Sequence, residues 1–224
     1  MPKKYFLILV CSFVFLLFIY YTFVFFNNYD RIHTDNLPTA EDIIADFDEI
    51  GEDYKTAVRN TYHFFSLDSS SNFNPKSPLL RMDALIIIDI IGSQNVKRYG
   101  SSANTTVPYF NDFRSSDAYA DVIRRVVAHI DQTPDFPNHY EILGYELNKN
   151  EPITRLEFLM LISSFFGKGN QEAPYTDVPA EYSPYIASLN SKGIISASSA
   201  LNMEKPMTRE EAALIAYRTL QALQ

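Results

Sequence analysis

One eleven-residue pattern occurs three times in this chain without gaps, which ties the fold to copies of one supersecondary unit. The copies are Phe73–Asp83, Leu147–Glu157 and Leu201–Glu211, and all read apolar-Asn-x-x-x-Pro-apolar-x-Arg-x-acid. Each runs into an apolar stretch, Ala84–Ile91, Phe158–Phe166 and Ala212–Leu220. Thr154 and Thr208 stand at helix N-cap positions with Glu157 and Glu211 three residues on, so two copies read as capping boxes. Pro152 and Pro206 disfavour helix just before the cap. Copy one has Leu80 at the cap, which supplies no side-chain acceptor. The repeated arginines, Arg81, Arg155 and Arg209, fall on the first helical turn. There an anion is expected to meet a guanidinium and free backbone N–H groups together.

A second shared element, aromatic-x-acid-apolar, lies upstream: Phe47-Asp-Glu49-Ile50, Phe110-Asn-Asp112-Phe113 and Tyr175-Thr-Asp177-Val178. Thirty-two residues separate Glu49 from Arg81 and Asp177 from Arg209, against 43 from Asp112 to Arg155, so copy two carries an insertion. Between the two elements each copy has an earlier helical pattern. Val58, Tyr62 and Phe65 share a face in copy one, Tyr119, Val122, Val126, Val127 and Ile130 in copy two, and Tyr185, Ile186 and Leu189 in copy three. Gly193 suits the position just past that last helix. Each copy thus reads as helix, loop, capped helix, and the fold class as all-α.

Outside the repeats, one feature decides location. Residues 5–26 form a 22-residue uncharged block in which Ser12 and Thr22 alone fall outside the apolar set. The block reconciles a hydrophobic content of 46% with a mean hydropathy of −0.13. It is long enough to span a bilayer, and it ends in Phe23-Val-Phe-Phe26 rather than at small residues, so it reads as an uncleaved anchor. Lys3 and Lys4 precede it, which puts the N-terminus in the cytoplasm and residues 28–224 outside. Removing those two lysines from a net charge of −8 leaves −10 on the exported part. An acidic chain of this kind is a poor nucleic-acid binder. The single cysteine, Cys11, excludes an intramolecular disulfide framework and cysteine metal clusters.

The Tyr175-Thr-Asp-Val-Pro-Ala, Ser191-Lys-Gly-Ile-Ile195 and Lys205-Pro-Met-Thr-Arg-Glu-Glu-Ala212 segments together resemble the S-layer homology (SLH) domain. The family's Thr-Arg-x-Glu stretch is matched by Thr154–Glu157 and Thr208–Glu211, and more weakly by Leu80–Asp83. The resemblance covers roughly residues 45–222. It implies three SLH-like helix-loop-helix repeats in a pseudo-threefold arrangement behind one transmembrane helix. The implied organisation is residues 1–4 in the cytoplasm, an anchor over 5–27, a linker over 28–45, and repeats over 46–93, 94–168 and 169–224.

What the resemblance implies about function is non-covalent binding of an anionic secondary cell-wall polymer, often through a pyruvate-ketal-bearing sugar, or of a peptidoglycan-linked glycan. Arg81, Arg155 and Arg209 would face the ligand's carboxylate or phosphate. Glu49, Asp112 and Asp177 would contact sugar hydroxyls or hold the loop, and Glu157 and Glu211 would serve as cap partners. The protein would be a single-pass bacterial membrane protein that tethers membrane to wall, its lipid contact made through residues 5–27. The family's first-helix Trp is absent, with Tyr54, Tyr119 and Tyr182 or Tyr185 nearest in place, and the glycine loop before the Pro is replaced by Ser196–Ala200. These departures motivate an alternative: a protein–protein scaffold in an envelope complex that keeps the fold without the glycan. His33, His63, His129 and His139 lack ligand spacing, so no metal is expected, and no cofactor fingerprint or convergent catalytic group occurs. An enzyme is not expected.

Overall fold

The capped apolar runs are helices in the computed structural model, which describes residues 38–96, 99, 110–114, 116–196 and 200–224. Two compact units divide at Asp42. In the first, the described residues are 38–42, where the Thr39 N–H and hydroxyl donate to the Asp42 carboxylate at 2.9 and 2.8 Å. The anchor over 5–27, Lys3, Lys4, Cys11, His33 and the first part of the linker lie outside the described residues. Among those described, no helix is long and apolar enough to cross a membrane.

Eight α-helices are described: α1 (Ala40–Ile43), α2 (Glu52–Thr61), α3 (Arg81–Asn95), α4 (Ala120–Gln132), α5 (His139–Leu143), α6 (Arg155–Ser163), α7 (Ser183–Ser191) and α8 (Arg209–Ala222). No strand occurs among the described residues. Helices α3, α6 and α8 are the second helices of the three copies. Each packs against a first helix from another copy: α3 against α4, α6 against α7, and α8 against α2. Burial follows this pairing. On α4, Ile123, Val126, Val127 and Ile130 are buried at i, i+3, i+4 and i+7. Helix α3 also meets α6 and α8. It buries residues around much of its girth, from Met82 through Leu85, Ile88 and Ile91.

The helix ends obey local chemistry. Thr154 and Thr208 accept from the backbone N–H of Glu157 and Glu211, and both glutamates reach back to the cap N–H. Leu80 makes no side-chain cap. Gly193 closes α7 at φ 70°, with Gly193 N–H bonded to Asn190 O and Ile194 N–H to Leu189 O, a paired arrangement open to glycine without strain. Helix α5 lies in the copy-two insertion. Asn138 caps it by accepting from Tyr140 and Glu141 N–H at 3.0 and 3.2 Å.

The repeated Asn has one physical cause. Asn74, Asn148 and Asn202 all take the left-handed conformation, at φ 54°, 49° and 53°. Each carbonyl then accepts the N–H three residues on, from Ser77, Glu151 and Lys205 at 3.0, 2.8 and 2.9 Å. Asn tolerates that conformation better than any other residue with a Cβ substituent except Asp. The turn delivers Pro78, Pro152 and Pro206 to the junction between copies, where three antiparallel bridges form: Pro78 with Thr208, Leu80 with Pro152, and Thr154 with Pro206. Because the Asn202 side chain is exposed, Asn202→Val isolates the backbone term. It is expected to lower unfolding free energy by about 1–2 kcal/mol, with Asn202→Gly near native, in denaturant titrations.

Candidate ligand grooves at the repeat junctions

Backbone hydrogen bonds run in closed cycles around the three copies. Leu79 N–H donates to Met207 O (2.7 Å), Met207 N–H to Ile153 O (2.9 Å), and Ile153 N–H to Leu79 O (2.9 Å). All three residues are buried. A second cycle uses the arginine amides: Arg81 to Glu151 O and Arg155 to Lys205 O at 2.9 Å, and Arg209 to Ser77 O at 3.1 Å. A third, at 3.1 Å throughout, joins Met82 to Lys149 O, Leu156 to Met203 O, and Glu210 to Pro75 O. The first helical N–H groups of α3, α6 and α8 are therefore already bonded to the neighbouring copy. This corrects the expectation of free backbone donors for an anion at these helix starts. In α6 and α8 the next donor is also taken, by the capping threonine.

The arginine side chains follow the same cyclic rule. Arg81 pairs with Glu157, and its Nη1 donates to Leu143 O and Leu147 O at 2.9 and 3.3 Å. Arg155 pairs with Glu211 and donates to Leu201 O at 3.1 Å. Arg209 donates to Phe73 O (2.6 Å) and Ser66 O (2.7 Å) and lies 3.6 Å from Asp83. Each guanidinium thus meets the motif acid of the next copy, and the third meets that of the first. The cap glutamates have two jobs: they hold their own helix start and they receive the preceding copy's arginine. In the Arg209 junction the acid is Asp83, one methylene shorter, and the pair is long. Burial raises the Asp83 carboxyl above its ordinary value against the pull of Arg209, and burial lowers Arg209.

The upstream acids hold the left-handed turns. Asp112 accepts from Leu147 and Asn148 N–H at 2.7 and 2.8 Å, and Asp177 from Leu201 N–H at 2.9 Å. In copy one this place is taken by Asp46, which accepts from Phe73 and Asn74 N–H at 2.6 and 2.7 Å, while Glu49 is exposed. Glu49 is therefore not the counterpart of Asp112 and Asp177. The repeating element in copy one is Ile44-Ala-Asp46-Phe47, and the equal spacing measured from Glu49 was a coincidence of register.

The junctions open into three unlike grooves. One of about 270 Å³ is lined by Tyr54, Arg155, Glu211 and Arg218, together with Leu214 and Ile215. The Arg155 side chain is 25% exposed, against 14% for Arg81 and 9% for Arg209. Burial, then Glu211 and Glu210, raise the Tyr54 hydroxyl against Lys76 and Arg155, so the phenol stays protonated. A second groove of about 390 Å³ holds Arg209 with Asp68 and Asp83. A third, about 210 Å³, is lined by Glu141, Glu157, Tyr182 and Glu204. Tyr54 and Tyr182 thus line grooves, whereas Tyr119 is exposed at φ 69°. Arg218 was not legible as a site residue. It lies seven residues past Glu211, which puts both on one face of α8.

Among the described residues no group of three His, Cys, Asp or Glu side chains could hold a metal ion. His139 is bound to Asp131 at 2.9 Å. His129 is half-buried against Phe165 and Tyr99, and burial lowers it to about 4.

The cyclic pairing predicts strong coupling between copies. In a double-mutant cycle, Arg81→Ala and Glu157→Ala are each expected to cost roughly 3 kcal/mol. Their joint cost should fall at least about 1 kcal/mol short of additive by denaturant unfolding. Additive losses would remove the pair as a brace.

A search of curated proteins found no match for the chain. The family model of the S-layer homology domain matches residues 174–213. That span takes in Asp177, all of α7, Asn202 and the Thr208–Glu211 capping box. The chain carries an S-layer homology domain over residues 174–213.

Proposed function

We propose that the protein is a membrane-anchored envelope module that binds an anionic secondary cell-wall polymer through the groove of Arg155, Arg218 and Tyr54. An S-layer homology domain associates its protein with the cell wall and is a binding rather than a catalytic module. The finer reading rests on one observation: this groove is lined by two guanidiniums and a protonated phenol together with apolar side chains. Arg155 keeps Glu211 as a partner, so an incoming carboxylate or phosphate shares rather than replaces that pair. Arg218 donates to Ile194 O at 3.2 Å. On an exported part of −10, such local cations are what an anionic ligand requires.

The anchor over 5–27 would supply the tether, with the N-terminus in the cytoplasm and the three SLH-like repeats over 46–93, 94–168 and 169–224 outside. Pyruvylated polysaccharide suits the groove because its carboxylate is fixed on a sugar ring that Tyr54 can face. Asp112 and Asp177 serve as loop holders in this reading, and Arg81 and Arg209 as braces between copies.

The burial of Arg81 and Arg209 favours a second reading, in which the fold is retained as a scaffold for another envelope protein. The two separate in sedimentation of the full chain, in detergent, with purified bacterial walls. Glycan binding predicts retention that weakens with salt and is lost when the walls are stripped of anionic polymer. It also predicts about tenfold weaker retention for Arg218→Glu at unchanged Tm. Equal retention by stripped walls, or by Arg218→Glu, would contradict it.

A further inference from the structure

We propose that the copy-two insertion carries a stacking platform for an uncharged sugar ring, built by Tyr145 on Tyr140 and separate from the Arg155 groove. Tyr145 is 68% exposed, the most exposed large apolar side chain among the described residues. It is nevertheless held. Its ring stacks on Tyr140 at 4.9 Å and 28°, and Tyr140 lies 3.8 Å from His139, whose Nδ1 is bound to Asp131. Phe110 closes the stack edge-on to both His139 and Tyr140. The Tyr145 carbonyl accepts from Asn111 N–H at 2.8 Å. Gly144, at φ 81°, turns the chain back after α5 so that the two rings can meet.

A rigid exposed ring costs little entropy to engage, and nothing in the packing of α4 or α6 calls for it to face water. The π face attracts polarised C–H groups such as those on the apolar face of a pyranose. The surroundings choose the charge. Glu141 and Glu146 are exposed on either side in sequence. Glu141 leads on to the 210 Å³ cavity with Thr154, Tyr182 and Glu204, and Tyr182 Oη donates to the Glu141 carbonyl at 3.4 Å. Carboxylates and hydroxyls there accept and donate to sugar hydroxyls, and the carboxylates repel an anionic sugar. The platform therefore fits neutral residues of a glycan whose charged residues would go to the Arg155 groove. It rests on reading the protein as a glycan-binding module.

The test is titration of the full chain in detergent with two uncharged probes, chitotetraose and cellotetraose. At least one is expected to bind, with affinity unchanged by salt or by Arg218→Glu. Tyr145→Ala, at unchanged Tm, should weaken that binding about tenfold. Failure of both probes to bind, or native affinity in Tyr145→Ala, would overturn the platform. So would a photo-crosslinker at position 145 that captures a protein rather than glycan in cells. Loss of anionic-polymer retention with neutral binding intact would instead sink the Arg155 groove and leave the platform standing.

Discussion

The rest of the structure depends on the three-membered cycle of hydrogen bonds among Leu79, Ile153 and Met207. Each residue gives its N–H to one neighbour and its carbonyl to the other, so no copy supplies an end. All three are buried, and a broken bond would leave a donor and an acceptor without water to replace them. Two further cycles above it place helix starts rather than loops. The first N–H groups of α3, α6 and α8, which an isolated helix would leave open, are spent on carbonyls of the adjacent copy. The guanidinium-to-acid pairs repeat the same circuit in side chains. A single copy would expose these donors, and so would two copies at one end.

This geometry divides the arginines by what their surroundings leave free. Arg81 bonds two carbonyls and Glu157 and is 14% exposed, and Arg209 bonds two carbonyls beside Asp83 and is 9% exposed. Arg155 holds the same kind of brace but is the more exposed side chain, and it lines a groove with Arg218 and Tyr54. The difference arises outside the motif, from Arg218 on α8 and Tyr54 on α2, two helices that pack together. A repeat can thus keep one structural rule at all three junctions while the chemistry of each groove varies with what the surrounding helices bring to it.

The all-α class, the capped helices, the glycine end of α7 and the repeat register from Asn to Arg were legible in the residues, because each depends on chemistry within one turn of chain. The acid of copy one was not. Phe47-Asp-Glu49-Ile50 has the aromatic that Ile44-Ala-Asp46-Phe47 lacks, and which carboxylate meets the Phe73 and Asn74 amides is settled by the turn, 27 residues away from Asp46. The partner of each arginine was equally hidden, since it belongs to the next copy and no local spacing names it. Helix α5 carries a local signal, Asn138 with Glu141 three residues on. Tyr145 had none, as its exposure follows from how the insertion folds back onto Tyr140.

Amide hydrogen exchange at Leu79, Ile153 and Met207 measures the central cycle directly. A closed circuit has no copy that opens alone, so all three amides should exchange only through global unfolding, with one shared free energy that matches denaturant unfolding. Faster exchange of any one of them, by local opening of its copy, would contradict a cyclic closure and leave three separately stable units.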